Sequence, residues 1–258
     1  MVSNVNLVDD IGKHIAIYPL LKDNQAGKIG RAFDLTRDIE GASFDFTASQ
    51  YAWSITEQRS AIEDGYIKIK PKDTVIIFTN EVLSLDEYYA GACYSKLTFS
   101  MRGINHSSSP LKPGYTGRMS VSLHNDSTRV FSIGIGDPIV VVMLSKLNKP
   151  SNITNGNGKS SRLDILNSLG ISITDEERKA ITEYDDRTKV MSSMKAEENY
   201  KEFKKGKRKK RKYIIQFFVL AIICTGLSVL AYFGEIKEVF AACIGGIIVQ
   251  IVDKCILK

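Results

Sequence analysis

Leu111-Lys112-Pro113-Gly114-Tyr115-Thr116-Gly117 is followed, after two residues, by Ser120-Val121-Ser122-Leu123-His124-Asn125. Pro113-Gly114 is a turn signal, and Gly117–His124 reads as a strand. The same pattern repeats outward from this pair. Upstream, Ala42-Ser43-Phe44-Asp45-Phe46-Thr47 alternates, with Phe44 and Phe46 on one face. Tyr66–Lys70 alternates again, Pro71-Lys72-Asp73 makes a turn, and Thr74–Thr79 is a continuous β-branched and aromatic run. Tyr88–Tyr94 is a further strand candidate, and Asp137–Leu144 is nearly all apolar and reads as buried. Before residue 39 the pattern is thin: Ile15–Leu21 is a strand candidate and Gly30–Asp38 a turn. Many short strands separated by Gly and Pro, with no long helix among them, predict a mainly β domain, a sandwich or barrel, over residues 1–147.

The composition changes after Leu147. Residues 148–173 read as a linker, and Asn148–Ser161, with Asn155-Gly156-Asn157-Gly158 inside it, as a flexible or exposed loop. No strand and helix flank that Gly-rich piece, so it is not a phosphate loop. Thr174-Asp175-Glu176-Glu177 is a capping-box pattern. It predicts a helix from Asp175 to about Lys205, a stalk spanning residues 174–205. Its apolar residues are sparse: Ile181, Tyr184, Val190, Met194, Tyr200 and Phe203. That fits either a mostly solvated stalk or a helix that packs only in an oligomer.

Residues 206–258 are a basic collar and an apolar tail. The charge run Lys204–Lys212 continues directly into Tyr213–Phe233, which holds no formal charge. About 20 such residues reach about 30 Å as a helix, the thickness of a hydrocarbon core. A short polar break, Gly234–Glu238, precedes a second apolar run, Val239–Val252. The expected arrangement is a two-helix transmembrane hairpin, with Lys254 and Lys258 snorkelling to the interface. A re-entrant or interfacial second segment is the competing reading. Ala241-Ala242-Cys243-Ile244-Gly245-Gly246 is a small-residue stretch suited to helix–helix contact. The basic block beside the first span places the N-terminal domain in the cytosol. It also suits anionic headgroups.

The net charge is +6, and the basic block holds more positive charge than that, so the remainder is slightly acidic. Nothing there marks a nucleic-acid binder. The N-terminus lacks the basic start and apolar core of a secretory signal. Of the four cysteines, only Cys93 lies outside the tail, and neither a metal spacing nor a disulfide framework can be built. No cofactor is expected.

Five short pieces of residues 39–147 carry a family resemblance. Ile39-Glu40-Gly41-Ala42-Ser43-Phe44-Asp45-Phe46 looks like the early "G-A-(S/T)-x-D-(L/V)" strand of the dCTP deaminase and dUTPase superfamily. Tyr94-Ser95-Lys96-Leu97-Thr98 sits where that family has "R-S-S-L-A". The two pieces from Leu111 to Asn125 sit where it has "I-D-P-G-(W/Y)-x-G" and then "L-E-x-x-N". Gly136-Asp137-Pro138-Ile139 resembles the late "G-(D/M)-x-I-(A/G)" turn. The resemblance implies a small distorted β-barrel or jelly roll, a trimer, and nucleotide bound at subunit interfaces.

It also shows what is missing. The proton-shuttling Glu of "L-E-x-x-N" is Ser122 here, a poor base. The Arg of "R-S-S" is Tyr94, and the Asp of "I-D-P-G" is Lys112. The features for binding a nucleotide survive better. The resemblance points to Tyr94, Ser95, Lys96, Lys112, Tyr115 and Asn125 as nucleotide-binding residues and to no catalytic ones. Each also has a bland reading: Ser95 and Lys96 as ordinary loop residues, Tyr115 as a core or interface aromatic, Asp45 as a satisfied carboxylate. His106 and His124 have no Cys or carboxylate at ligand spacing.

A barrel without its acid–base carboxylate, joined to a membrane hairpin, is similar in architecture to the two-transmembrane plus β-barrel effectors of bacterial antiviral systems, the Panoptes type. That resemblance implies an oligomeric effector whose barrel binds a nucleotide such as a cyclic dinucleotide and whose hairpin disrupts the membrane. The alternative is a membrane-tethered dCTP deaminase or dUTPase-like enzyme.

Overall fold

The alternation at Phe44 and Phe46 is realised as predicted: both rings are buried, with centroids 5.3 Å apart. The computed structural model describes residues 7, 9–19, 39–40, 43–107, 109–152 and 161–232. Its strands are β1 (Ile15–Tyr18), β2 (Ile39–Glu40), β3 (Ser43–Ser54), β4 (Arg59–Ser60), β5 (Ile62–Glu63), β6 (Tyr66–Ile69), β7 (Thr74–Leu85), β8 (Tyr89–Ser95), β9 (Ile104–His106), β10 (Ser109–Leu111), β11 (Thr116–Asn125), β12 (Phe131–Gly134) and β13 (Pro138–Lys146). The helices are α1 (Leu97–Ser100), α2 (Leu163–Ser168), α3 (Asp175–Thr182), α4 (Arg187–Ala196) and α5 (Glu198–Tyr232). The chain falls into two units, Met1–Lys201 and Glu202–Lys258.

The first unit is mainly β. A ten-stranded sheet runs β10-β8-β13-β3-β7-β11-β9, with β1, β2 and β4 added at its sides, and a small sheet runs β12-β6-β5. Two long strands bend the large sheet. β3 pairs with β13 through Ser43–Thr47 and with β7 through Ala48–Ser54, so it hands over partners half-way along. β7 does likewise: Val75–Thr79 pair with β3, whereas Val82–Leu85 pair with β1. The pairing with β11 shifts register at the same level, between Arg118 and Ser120.

At that hand-over the ladder is broken, and side chains replace it. Arg118 donates from one guanidinium nitrogen to the Thr79 and Asn80 carbonyls. Asn80 Nδ2 donates to the Ala48 carbonyl at 2.8 Å and to Thr47 Oγ1 at 3.1 Å. The Glu81 carboxylate accepts from the Thr47 N–H and hydroxyl, both at 2.8 Å. Buried backbone groups need such partners wherever a strand neighbour is lost.

Sequence and structure part company beyond Leu147. The stretch expected as a linker, residues 148–173, contains helix α2 and three buried hydrophobic side chains, Leu163, Leu166 and Ile171. With Ile181 of α3 they cover Trp53, Ile76 and Phe78 and form a second apolar core on the outer face of β3 and β7. The Asn155–Gly158 part lies outside the described residues.

The expected stalk is likewise not one solvated helix. The capping box of Thr174 and Glu177 forms as predicted and opens α3. Asp186 and Glu197 then take extended backbone angles and divide the segment into three helices. Ile181, Val190, Met194 and Tyr200 are buried within the first unit. α4 packs on β1 and β7. Arg187 reaches the Lys13 carbonyl at 3.1 Å and Ser84 Oγ at 3.3 Å, beside a His14–Asp86 pair at 2.6 Å. The Tyr18 and Tyr184 rings lie 4.9 Å apart. α3 buries Ile181 and α4 buries Val190 and Met194.

Helix α5 covers most of the first expected span. Among the described residues no helix is long and apolar enough to cross a membrane. The second expected span, Val239–Val252, lies outside the described residues.

Candidate functional site

The Pro113-Gly114 signal forms a turn between β10 and β11. Tyr115 N–H donates to the Lys112 carbonyl at 3.1 Å, and Gly114 has φ +75°. Pro second and a positive-φ Gly third suit a type II turn. The turn is fixed on β7 by Leu85 N–H to the Tyr115 carbonyl at 2.8 Å. This places Lys112 and Tyr115 on one cavity of about 990 Å³. Its barrel wall is β10 and β11, and its other wall is α2, α3 and the turn after α3, including Arg178, Thr182 and Asp185.

Tyr115 is only 8% exposed, and its hydroxyl donates to the Arg118 carbonyl at 3.1 Å. Burial pushes its pKa well above the ordinary phenol value, so it stays a neutral wall. Cys93 and His106 also line the cavity. Burial pushes the Cys93 thiol up to about 12, which leaves it inert at neutral pH. His106 Nδ1 lies 3.1 Å from the Ser122 carbonyl. Burial lowers its pKa against the opposing pull of that bond, so the ring is neutral near pH 7. The acidic residues of the wall are engaged: Arg162 holds Asp164 at 3.0 Å, and Ser161 Oγ donates to Asp185 at 3.0 Å. Lys112 is exposed and makes no ion pair among the described residues.

The other four residues expected at the site stand apart from this cavity. Tyr94 is 43% exposed near the end of β8. The Ser95 hydroxyl lies 3.2 Å from that of Ser100. Lys96 is ion-paired with Asp45, so its charge is not free for a phosphate as expected, and Asp45 takes its bland reading. Asn125 departs furthest from expectation. It is fully buried, and its amide donates to the Ile69 and Arg129 carbonyls, both at 2.8 Å. Its Oδ1 accepts from the Ser127 N–H at 2.9 Å and lies 2.7 Å from the Ser127 hydroxyl. An Asn side chain has two donors and two acceptor sites, and all are used. Asn125 ties the turn after β11 to β6 and has nothing left for a ligand. Asn125→Ala is therefore expected to cost about 2 kcal/mol by stranding buried carbonyls, measured by denaturant unfolding of the full-length protein.

The chain is similar to dUTPases over about half its length. The dUTPase from phage phi11 of S. aureus is 15% identical with a TM-score of 0.37, and the match covers 54% of this chain and 94% of that one. EIAV dUTPase is 18% identical with a TM-score of 0.36, covering 56% and 98%. The dUTPase of Staphylococcus bacteriophage 80alpha with dUPNHPP is 15% identical with a TM-score of 0.35, covering 55% and 88%. At such identities and TM-scores the likeness carries neither activity nor site residues to this chain. No known family model and no curated protein matches the sequence.

The sequence resemblance singled out Lys112 and Tyr115, and both line this cavity. Sequence reasoning did not single out Arg178 and Asp185, because the cavity's second wall is the segment read as linker and stalk, and it weighed His106 only as a metal ligand. Ser122, the position of the missing carboxylate, is not among the cavity's lining residues. Among the described residues no cluster of His, Cys, Asp and Glu could hold a metal ion.

Proposed function

We propose that this protein is a membrane-anchored effector of bacterial antiviral defence, sited at the inner membrane with its barrel in the cytosol. In this reading the barrel binds a nucleotide, such as a cyclic dinucleotide, without turning it over. Ligand binding controls membrane disruption by an oligomer, a trimer by resemblance, of C-terminal hairpins. The observation that carries the reading is that one chain pairs a cavity lined by Lys112 and Arg178 with a helix whose apolar side chains are exposed. Cys93 is a neutral thiol, Asp164 is paired with Arg162, Asp185 accepts from Ser161, and Lys112 supplies positive charge. In α5, Tyr213, Ile214, Ile215, Phe217, Phe218, Val219, Ile222 and Ile223 are large hydrophobic side chains left exposed by the chain's own contacts. A continuous apolar surface of this kind calls for a bilayer or other copies of the helix.

The switch needs a differential affinity. Moving a two-state assembly from almost all quiet to almost all active takes about 5.5 kcal/mol. The test is expression with and without Tyr213–Lys258. The full chain is expected to depolarise the bacterial membrane and arrest growth when its ligand is withdrawn, and the truncated chain to do neither. Equal toxicity from both chains would sink the proposal. Release of uracil nucleotide or pyrophosphate from dCTP or dUTP by the full chain would replace it with the tethered-enzyme reading.

A further inference from the structure

The two walls of the cavity belong to different parts of the chain. One is the β10–β11 hairpin of the barrel. The other is α2 and α3, the beginning of the arm that continues through α4 into α5. Their charges sort unevenly. Arg162 is neutralised by Asp164, His106 is neutral, and Asp185, which accepts from Ser161, keeps its negative charge. The cations that remain are Lys112 on the hairpin and Arg178 on α3. Both line the cavity, both are exposed, and neither makes an ion pair among the described residues. Two cations facing one cavity from its two walls give an anion with oxygens on several sides two points of attraction. A guanidinium forks onto two phosphate oxygens, and an ammonium adds a point charge to a third.

We infer that a phosphate-bearing ligand in this cavity is gripped by Lys112 from the barrel and by Arg178 from α3, so that it clamps the helical arm onto the barrel. The identity of the ligand as a nucleotide rests on the function proposed above. The clamp itself needs only the phosphate. A ligand that touches both walls binds fully only to the docked arrangement, which is the differential affinity that a switch requires. The arm ends at Tyr200, in the first turn of α5, so the ligand is coupled to the segment that leads into the tail.

The test uses the full-length protein in detergent micelles with cyclic di-AMP, dUTP and inorganic pyrophosphate as probes. Titration calorimetry gives affinity, and amide hydrogen exchange follows residues 175–196. The probe that binds is expected to slow exchange in α3 and α4. Lys112→Ala and Arg178→Ala are each expected to weaken it by roughly tenfold or more, the usual loss for a charge-assisted bond. Lys179→Ala, one residue along the same helix and not on the cavity, should bind as the wild type does. Unchanged affinity in Arg178→Ala, with no change in exchange, overturns the clamp and leaves the nucleotide reading standing. Binding of pyrophosphate alone, lost in both variants, supports the clamp and removes the nucleotide. No binding by any of the three probes overturns both.

Discussion

Raising the pH from about 4.5 to about 7 is expected to remove about 3 kcal/mol of folding stability through Glu81. Glu81 is 1% exposed, and burial raises its pKa to about 7, despite the two bonds from Thr47 and the nearby Arg118, which act to lower it. Between the unfolded and folded values the native state holds a proton that the unfolded state has released. Stability therefore falls as the pH rises across that window and is flat above it. His106 opposes this: its lowered pKa makes stability rise with pH on approaching the ordinary value of 6.5. The quantity to measure is thus the difference between the wild type and Glu81→Gln. Trp53 is the single tryptophan and is buried between strands and arm, so its fluorescence reports unfolding of the barrel in the full-length protein. Glu81→Gln is expected to be the more stable protein at pH 8, and the gap should close towards pH 5. A gap that stays constant between those two pH values would show that Glu81 does not titrate there.

The position of Glu81 shows why parts of this fold were hidden in the sequence. A half-buried strand announces itself by alternation, and Phe44, Phe46, Ile67 and Ile69 do so. β7 is buried along nearly its whole length because the core lies on one face and the arm on the other. Its second half includes Asn80, Glu81 and Ser84, which no apolar run would contain. Those polar residues mark the hand-over from β3 to β1 and are satisfied only by partners distant in sequence, Thr47, Arg118 and Thr116. The arm was hidden for the converse reason. Leu163, Leu166 and Ile171 are too few to suggest a core until Trp53, Ile76 and Phe78 are known to need a cover. The candidate site divides along the same line. In the hairpin half the turn was legible from Pro113-Gly114, and Lys112 and Tyr115 were singled out by resemblance. The arm half was not, since Arg178 on an otherwise charged helix looks like any solvated side chain.

Gly12→Ala is expected to destabilise the first unit by about 3–4 kcal/mol, although the change is one methyl group. Gly12 has φ +84°, in the left-handed region that costs an L-residue about 1–2 kcal/mol. A Cβ there would sit 1.8 Å from the Tyr200 hydroxyl oxygen and 2.7 Å from Cζ. Both atoms belong to a rigid ring that is only 3% exposed, so a small adjustment at the tip does not suffice and the ring must swing out. Expelling a buried aromatic adds about 2 kcal/mol. The coupling is checked by a double-mutant cycle on Trp53 fluorescence. In Tyr200→Ala the methyl group has room, so Gly12→Ala should cost only the backbone strain, and the difference between the two backgrounds measures how firmly Gly12 holds the start of α5. Equal costs in both backgrounds would mean that Tyr200 is not seated against Gly12. Tyr200 is the last buried side chain before the basic run, so the same substitution tests the proposed control. If docking of the arm keeps the hairpin quiet, Gly12→Ala in the full chain should depolarise membranes with ligand present, because a clamp at Arg178 cannot hold an arm whose far end has been forced off the barrel.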